Sequence, residues 1–168
     1  MIKKYNIKLN EQKSVYRQTS LNYLGYLIDS GRIQPDPQRT EPLRNFSAPE
    51  NPAAMKRALG LLSYYSQWIP NYSAKIRPLL SVASFPMNYT QLKTFDELKD
   101  EICKASLTTI DEELPYCVET NASSNTVAAI LSQNGRPVAF YSRSLSPSER
   151  QHSIIEREAT AIVEAIRK

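Results

Sequence analysis

Histidine and cysteine are nearly absent from this 168-residue sequence, which has one histidine, His152, and two cysteines, Cys103 and Cys117. None of the three lies at a spacing typical of metal ligands, so neither a His/Cys metal cluster nor a Cys–His nucleophile is indicated. We expect both thiols to be free and buried, because disulfides are rare in a reducing compartment.

Long apolar runs are also missing, and the longest are far shorter than the ~20 residues that span a bilayer. The first residues are basic but have no apolar core, so they do not resemble a secretory signal. A composition of 41% hydrophobic and 23% charged residues is typical of a globular protein. We therefore expect an intracellular location and no membrane partner.

The net charge of +4 is unevenly distributed along the chain. Residues 1–81 contain 12 Lys and Arg against 5 Asp and Glu, whereas residues 82–168 contain 9 against 12. This asymmetry indicates two modules, the first attracted to a polyanion such as nucleic acid. An ordinary solvated basic surface is the alternative interpretation.

The first half predicts short strands followed by helices. Runs rich in Tyr, Val and Leu at 14–18 and 23–28 indicate a small antiparallel hairpin system, and turn residues follow at 29–32. Asp36-Pro37 and Asn51-Pro52 are typical helix starts, with a capping side chain before a proline. We expect helices over 36–45, 51–69 and 72–82.

The second half predicts a helix, three antiparallel strands and a final helix, which makes the fold class α+β. Residues 85–89 are the expected linker, and Thr90 is the expected cap of a helix that ends near Ala105. Asn134-Gly135 is a strong hairpin signal, and a long helix is expected from Ser153 onward. The expected strands are 115–121, 127–133 and 137–142.

The helix predicted over 51–69 carries a glycine on its polar side. Gly60 shares that side with Lys56, Ser63 and Tyr64. A glycine inside a helix costs up to about 1 kcal/mol relative to alanine, so its presence suggests that something approaches the backbone closely. Tight packing against a neighbouring helix and close approach of a ligand are both open. The apolar face consists of Met55, Leu59, Leu62, Tyr65 and Ile69.

Two residues of the second half suit a metal site on the three-stranded sheet. One carboxylate at the end of the first strand and another on the following helix could bind two divalent ions roughly 3.5–4 Å apart. Glu158 is the helix candidate because it adjoins an apolar face, whereas Glu156 and Glu164 are expected to face solvent. Asn121 occupies the strand end, and an amide binds Mg²⁺ more weakly than a carboxylate does. A surface glutamate is the alternative for Glu158, and the apolar face consists of Ile155, Ala159, Ile162 and Ile166.

Several stretches match, in order, the motifs of a single known family. Residues 8–14 resemble Leu-Asn-x-x-Lys-Cys with a serine in place of the cysteine, and residues 23–26 resemble Phe-Leu-Gly-His. Residues 59–72 resemble the highly specific Leu-Gly-x-x-Asn-Tyr-Tyr-Arg-x-Phe-Ile-Pro-Asn-Phe, with Ser66 in place of the arginine. The later matches are 120–123 (Thr-Asp-Ala-Ser in the family), 128–133, 139–146 and 155–163.

Together these motifs resemble the reverse transcriptase and ribonuclease H region of the Pol polyprotein of gypsy-type LTR retrotransposons. The resemblance implies that residues 1–35 are the end of the palm with a primer-grip hairpin, and that residues 36–84 are a helical thumb. Residues 85–168 would be a connecting helix and the N-terminal half of a ribonuclease H-like domain. A domain shortened in this way should leave its first strand with an exposed edge.

The resemblance also implies a nucleic-acid partner. Related polymerases lay a thumb helix along the minor groove of the template–primer duplex, and Lys56, Gly60 and Tyr64 have the spacing for that role, with Ser63 beside them. Leu24-Gly25-Tyr26 would hold the 3′ end of the primer. The expected partner is an RNA–DNA hybrid or double-stranded nucleic acid, and the remainder of the polyprotein is a second candidate.

Catalysis is expected to be lost. The family's Tyr-x-Asp-Asp motif lies upstream of this chain, and its remaining ribonuclease H carboxylates lie beyond Lys168. Asn121 and Glu158 map onto a degraded ribonuclease H site, with Glu158 as a weak, incomplete metal ligand. Mg²⁺ is the cofactor of the family, and we expect none to bind stably here. The predicted function is a fragment of a reverse transcriptase/ribonuclease H that is inactive alone; a duplex-binding module and a connection-type scaffold are the alternatives.

Overall fold

An antiparallel meander opens the part of the chain that the structure, a computed structural model, describes: residues 8, 10, 12 and 14–168. Its strands are β1 (Ser20–Tyr23), β2 (Tyr26–Asp29) and β3 (Arg32–Pro35). The register leaves Leu24 and Gly25 as a two-residue turn between β1 and β2. Both have positive φ, 50° and 89°, as a type I′ hairpin turn requires.

The predicted hairpin system is confirmed only in part. Residues 14–18 form no strand, because β2 ends at Asp29, the partner of Ser20, and offers them nothing to pair with. The run 23–28 contains a turn rather than one strand, because Leu24 and Gly25 adopt the positive φ of a two-residue hairpin turn. The turn at 29–32 is confirmed. Much of the 8–14 motif lies outside the described residues.

Two capped helices follow the meander. In α1 (Pro37–Arg44) the side chain of Asp36 accepts a hydrogen bond from the backbone N–H of Gln38. In α2 (Pro52–Tyr64) the side chain of Asn51 accepts one from Ala54. Both predicted helix starts are confirmed, because an oxygen acceptor before a proline satisfies the free amides of the first turn. The predicted helix over 51–69 ends earlier, at Tyr64, and a 3-10 turn continues the chain over Ser66–Trp68.

The single helix predicted over 72–82 is wrong. The segment forms two one-turn helices, α3 (Tyr72–Lys75) and α4 (Arg77–Leu80). Pro78 gives the physical reason, because proline has no N–H to donate to the preceding turn.

Helix α5 (Tyr89–Lys104) runs through a core shared with α1, α2 and α4. Its cap is Asn88 rather than the predicted Thr90, because Asn88 completes a capping box with Gln91. The predicted linker also contributes to this core, since Met87 is buried and Phe85 packs against it. The segment is therefore packed rather than solvated. The α5 side chains at most 2% exposed are Phe95, Leu98 and Ile102.

A second sheet has the order β5-β6-β7, with every pair antiparallel. Its strands are β5 (Cys117–Ala122), β6 (Thr126–Gln133) and β7 (Arg136–Ser144). The short strand β4 (Leu107–Thr108) precedes them in the chain but belongs to the first sheet, where it pairs with β3. The three predicted strands and the Asn134-Gly135 turn are confirmed. Between residues 14 and 168 no strand pairs with the outer edge of β5, as expected.

Helix α6 (Ile154–Arg167) starts at a capping box formed by Ser153 and Glu156 and packs on β5 and β6. The predicted inward face of this helix is wrong. Ala161 is 1% exposed and faces the sheet, whereas the isoleucines of the predicted face point to solvent. Their exposed fractions are 82% for Ile155, 50% for Ile162 and 76% for Ile166.

Direct contacts join the helical core to the second sheet. Phe140 of β7 packs against the helical core. The backbone N–H of Ser73 donates to the hydroxyl of Ser142 at 2.9 Å. The carbonyl of Gly31 accepts from the backbone N–H of Thr109 at 3.0 Å. The meander, the helices and the second sheet therefore share packed surfaces.

Two expectations from composition concern the thiols and the membrane. Both thiols are free, as predicted, but neither is buried: Cys103 is half-buried and Cys117 is exposed on the edge strand β5. None of the helices between residues 14 and 168 combines the length and apolarity that a membrane crossing needs.

Candidate nucleic-acid interface and carboxylate site

One side of α2 is buried and the other is open. Its buried side chains are Met55, Ala58 and Leu62. On the opposite side Lys56, Gly60 and Tyr64 are exposed, each one turn from the next. Beyond α2's own backbone, no atom of the described residues lies within 4 Å of the position that a Cβ on Gly60 would occupy. The interpretation that Gly60 allows tight packing against a neighbouring helix is therefore wrong.

The polar side chains on this open side differ in how far the fold already uses them. Lys56 forms no hydrogen bond or ion pair within the described chain. The ring of Tyr64 is 55% exposed and meets Tyr65 edge-on, with 5.0 Å between ring centroids. The hydroxyl of Ser63 lies 3.2 Å from that of Tyr72. Lys56 and Tyr64 are thus available to a ligand, whereas Ser63 already has a partner.

The turn between β1 and β2 is held beside the end of α2. The carbonyl of Gly25 accepts a hydrogen bond from the backbone N–H of Asp36 at 3.0 Å, which attaches the turn to the start of α1. The ring of Tyr26 lies 5.6 Å from that of Trp68, and its hydroxyl accepts from Gln67 at 3.5 Å. The predicted primer-grip residues therefore adjoin the segment that follows α2.

Arg39 lies over this turn, and sequence reasoning did not select it. An ideal Cβ on Gly25 would lie 2.8 Å from Nη1 and 3.0 Å from Cζ of Arg39, so the guanidinium fills the space above the glycine. Gly25 is required by its positive φ, whereas the guanidinium is the far end of a flexible side chain that could move aside. The signal available in the sequence was a basic residue one turn after the Asp36 cap.

The Asn121 side chain projects from the face of the second sheet that turns toward the helical core. Asn121 pairs with Ala128, and Ala128 pairs with Ser142. Side chains directly opposite each other lie on one face of a sheet. Ser142 hydrogen-bonds to Ser73, which places this row on the side of α3.

Helix α6 covers the other face of the sheet. Ala122 packs against the cluster that contains Ala161. Nη1 of Arg157 donates to the carbonyl of Ser123 at 2.8 Å, which attaches α6 to the turn after β5. Glu158 is half-buried and makes no hydrogen bond or ion pair with the rest of the described chain. Because neighbouring residues of a strand point to opposite faces, Asn121 and Glu158 start from different sides of the sheet.

The donor set around these two residues does not fit a pair of divalent ions. Within residues 14–168 and the three described residues before them, no group of three His, Cys, Asp or Glu is placed to hold a metal. Asn121 contributes a neutral amide oxygen, and hard cations prefer anionic oxygens. Glu158 is then the single anionic ligand that these two residues offer.

A network around Arg143 fixes α6 on the sheet. Arg143 binds Glu149 through two hydrogen bonds of 2.7 and 3.0 Å and contacts Glu164 at 3.2 Å. The hydroxyl of Tyr141 donates to Glu164 at 2.9 Å. The expectation that Glu164 faces solvent is therefore wrong, because β7 supplies two partners for its carboxylate. These contacts explain why the isoleucines of α6 point outward.

The same network shifts the pKa values of its members. Hydrogen bonds from Arg143 and from the backbone of Ser146 lower the pKa of Glu149 from 4.5 to about 2. Hydrogen bonds from Arg143 and Tyr141 lower the pKa of Glu164. Burial raises the pKa of the Tyr141 phenol, and its bond to Glu164 acts in the same direction. Both carboxylates are charged at neutral pH.

Comparison with known proteins defines the class to which this fold belongs. Residues 87–168 match the RNase H-like domain found in reverse transcriptase. This chain is similar to the structure of the foamy viral protease-reverse transcriptase in complex with double-stranded DNA, with a TM-score of 0.77 and 22% identity. The match covers 94% of this chain and 35% of the chain in that structure. The complex of that enzyme with an RNA/DNA hybrid covers 92% and 22%, also with a TM-score of 0.77. This likeness shows the fold, which is that of the matching part of the enzyme, with an RNase H-like domain over residues 87–168.

The curated relatives of this chain are polyproteins of transposons. The Pol polyprotein from transposon 297 of Drosophila melanogaster is 31% identical over 166 residues, covering 94% of this chain and 16% of the relative. The Pol polyprotein from transposon opus of the same organism is 28% identical over 182 residues, covering 96% and 18%. This chain is similar over nearly its whole length to Pol polyproteins of transposons, among them that of gypsy of Drosophila melanogaster at 27% identity over 97% of the chain, and it spans less than a fifth of the length of these relatives.

We expect Glu149→Gln to remove an acid-sensitive part of the stability. A carboxylate with a lowered pKa stabilises the fold fully above its ordinary pKa of 4.5, and this contribution is lost as the pH falls toward about 2. The difference in unfolding free energy between wild type and Glu149→Gln should therefore shrink between about pH 5 and pH 2. Urea denaturation at several pH values measures it.

The matched control is Glu112→Gln, since Glu112 is exposed and has no bonded partner in the described chain. Its difference from wild type should be small and independent of pH in the same range. A Glu149→Gln difference that does not change with pH would contradict the role of the Arg143 network.

Proposed function

We propose that this chain is the thumb and the first RNase H-like part of a retrotransposon reverse transcriptase, and that its basic half binds an RNA–DNA hybrid or double-stranded nucleic acid. Residues 1–35 then correspond to the end of the palm and residues 36–84 to the thumb. Residues 85–168 correspond to the connecting helix and the N-terminal half of the RNase H-like domain. The foamy viral neighbours are complexes with these two kinds of duplex, which supports the choice of partner.

The open backbone at Gly60 is the observation that carries this proposal. Glycine inside a helix is destabilising by roughly 0.5–1 kcal/mol relative to alanine, and no neighbour in the described chain needs the space. The free space lies between Lys56 and Tyr64 on the exposed side of α2. A ligand that presses a convex edge against the helix would use this space.

The edges of sugars lining a minor groove are such a surface. The ammonium group of Lys56 would contact a phosphate, and the ring of Tyr64 would pack on a sugar or a base edge. Contacts of this kind recognise the shape and charge of a duplex rather than its sequence. Leu24, Gly25 and Tyr26 would contact the primer strand at its 3′ end.

A connection-type scaffold is the second candidate, and one observation favours it. Asn121 stands where the family motif has a carboxylate, as expected of an RNase H-like fold without catalysis. A scaffold of this kind predicts a folded chain with no affinity for a hybrid at low salt. The binding experiment below distinguishes the two candidates.

We expect the wild-type chain to bind a short, fluorescently labelled RNA–DNA hybrid with an affinity that falls as salt rises. Lys56→Ala should make the negative slope of log K against log salt shallower by about 0.9, which is the contribution of one phosphate contact. Fluorescence anisotropy across a salt series measures it. Lys93→Ala, which removes an exposed charge on α5, should leave the slope unchanged. Absence of wild-type binding at low salt would contradict the proposal.

Gly60→Ala should stabilise the free chain and weaken its complex. The added methyl meets no atom of the described chain within 4 Å, so the helix gains up to about 1 kcal/mol. The same methyl would occupy the space proposed for the sugar edges, so hybrid affinity should fall several-fold. Thermal unfolding and anisotropy give the two readouts. A more stable variant with unchanged affinity would argue against this face of α2 as the interface.

The chain should bind the hybrid without cleaving it. The lone carboxylate of Glu158 and the amide of Asn121 do not form a donor set for two Mg²⁺ ions. We therefore expect intact RNA after incubation of the bound hybrid with Mg²⁺, as resolved by denaturing electrophoresis. Glu158→Gln serves as the control for contaminating nuclease. Cleavage by the wild type that this substitution abolishes would overturn the prediction.

A further inference from the structure

The position of Arg39 is not explained by the packing of the fold alone. Its guanidinium lies on the backbone of Gly25, yet the residue is exposed and the guanidinium forms no hydrogen bond or ion pair in the described chain. A guanidinium has five N–H donors in a planar fork that matches the oxygens of a phosphate. These donors are therefore directed to solvent at the surface of the turn.

Arg39 also lies between the two parts of the proposed interface. On one side it covers the turn whose residue Leu24 is 72% exposed. On the other side, the turn continues into Tyr26, whose ring lies 5.6 Å from that of Trp68 in the segment that follows α2. Arg39 thus covers a turn that adjoins the end of the helix proposed to contact the duplex.

We infer that Arg39 binds a backbone phosphate of the duplex between the β1–β2 turn and α2, and so joins the two contact surfaces into one. The inference rests on the proposed function and adds a residue to the same interface. Gly25 has a part in it, since a side chain there would displace the guanidinium. The partner is recognised by charge and geometry, so single phosphates rather than bases determine the contact.

Binding of the labelled RNA–DNA hybrid by the full chain tests the inference. Arg39→Gln should make the negative slope of log K against log salt shallower by about 0.9, as the loss of one phosphate contact predicts. Arg44→Gln is the matched control, because Arg44 is an exposed arginine of the same helix without a bonded partner in the described chain. It should leave the slope unchanged. Arg39→Lys keeps the charge and should retain most of the slope.

A role of Arg39 in bracing the turn would give a different result. Thermal unfolding of Arg39→Gln should match that of the wild type, and a lower midpoint with an unchanged salt slope would show a structural role only. If Arg39→Gln does not fold, Arg39→Met keeps the stem over the turn and removes the charge, with the same slope expected. Equal slopes for wild type and the charge-removing variants overturn this inference and leave the proposed function standing. No binding by the wild type overturns both.

Discussion

The rotation of α2 about its own axis is the constraint on which the proposed interface depends. Leu62 is fully buried and Ala58 is 1% exposed, and burial of an aliphatic side chain is worth roughly 1.5–3 kcal/mol. A rotation by one residue, about 100°, would expose these side chains to water. The orientation that buries them turns Gly60 outward between Lys56 and Tyr64. Apolar burial on one side of the helix therefore determines which side is open, and that open side is the one proposed to bind the duplex.

The rotation of α6 is set by polar contacts instead. Ala161 is small, so the helix lies close to the sheet, and the long side chains on either side of it reach the strands. Arg157 binds the turn after β5, and Glu164 binds Arg143 of β7. With these bonds formed, the isoleucines of α6 face outward and form an exposed apolar stripe, of the kind that soluble proteins otherwise keep small.

Local signals predicted much of the fold, and contacts between distant residues account for the errors. The caps at Asp36 and Asn51 and the turn at Asn134-Gly135 act on neighbouring amides, so the sequence alone was sufficient to find them. Hydrophobic periodicity failed on α6 because it assumes that the apolar face turns inward, and it contains no information on the partner of Glu164. Arg39 was missed for the same reason, since its contact with Gly25 joins two elements. The roles proposed for the interface residues rest on the family motif together with exposure.

Two glycines show how a structural requirement differs from a functional one. At Gly25 the fold itself needs glycine, because φ is 89°, a backbone conformation that other residues rarely adopt. At Gly60 the backbone is regular helix with open space above it, so alanine would serve the fold better. The two arginines divide in the same way. The charge of Arg143 is satisfied by carboxylates and holds α6 in place, whereas that of Arg39 has no partner in the described chain. The polyanion proposed to bind at this surface would account both for a glycine that costs stability and for a charge without a partner in the described chain.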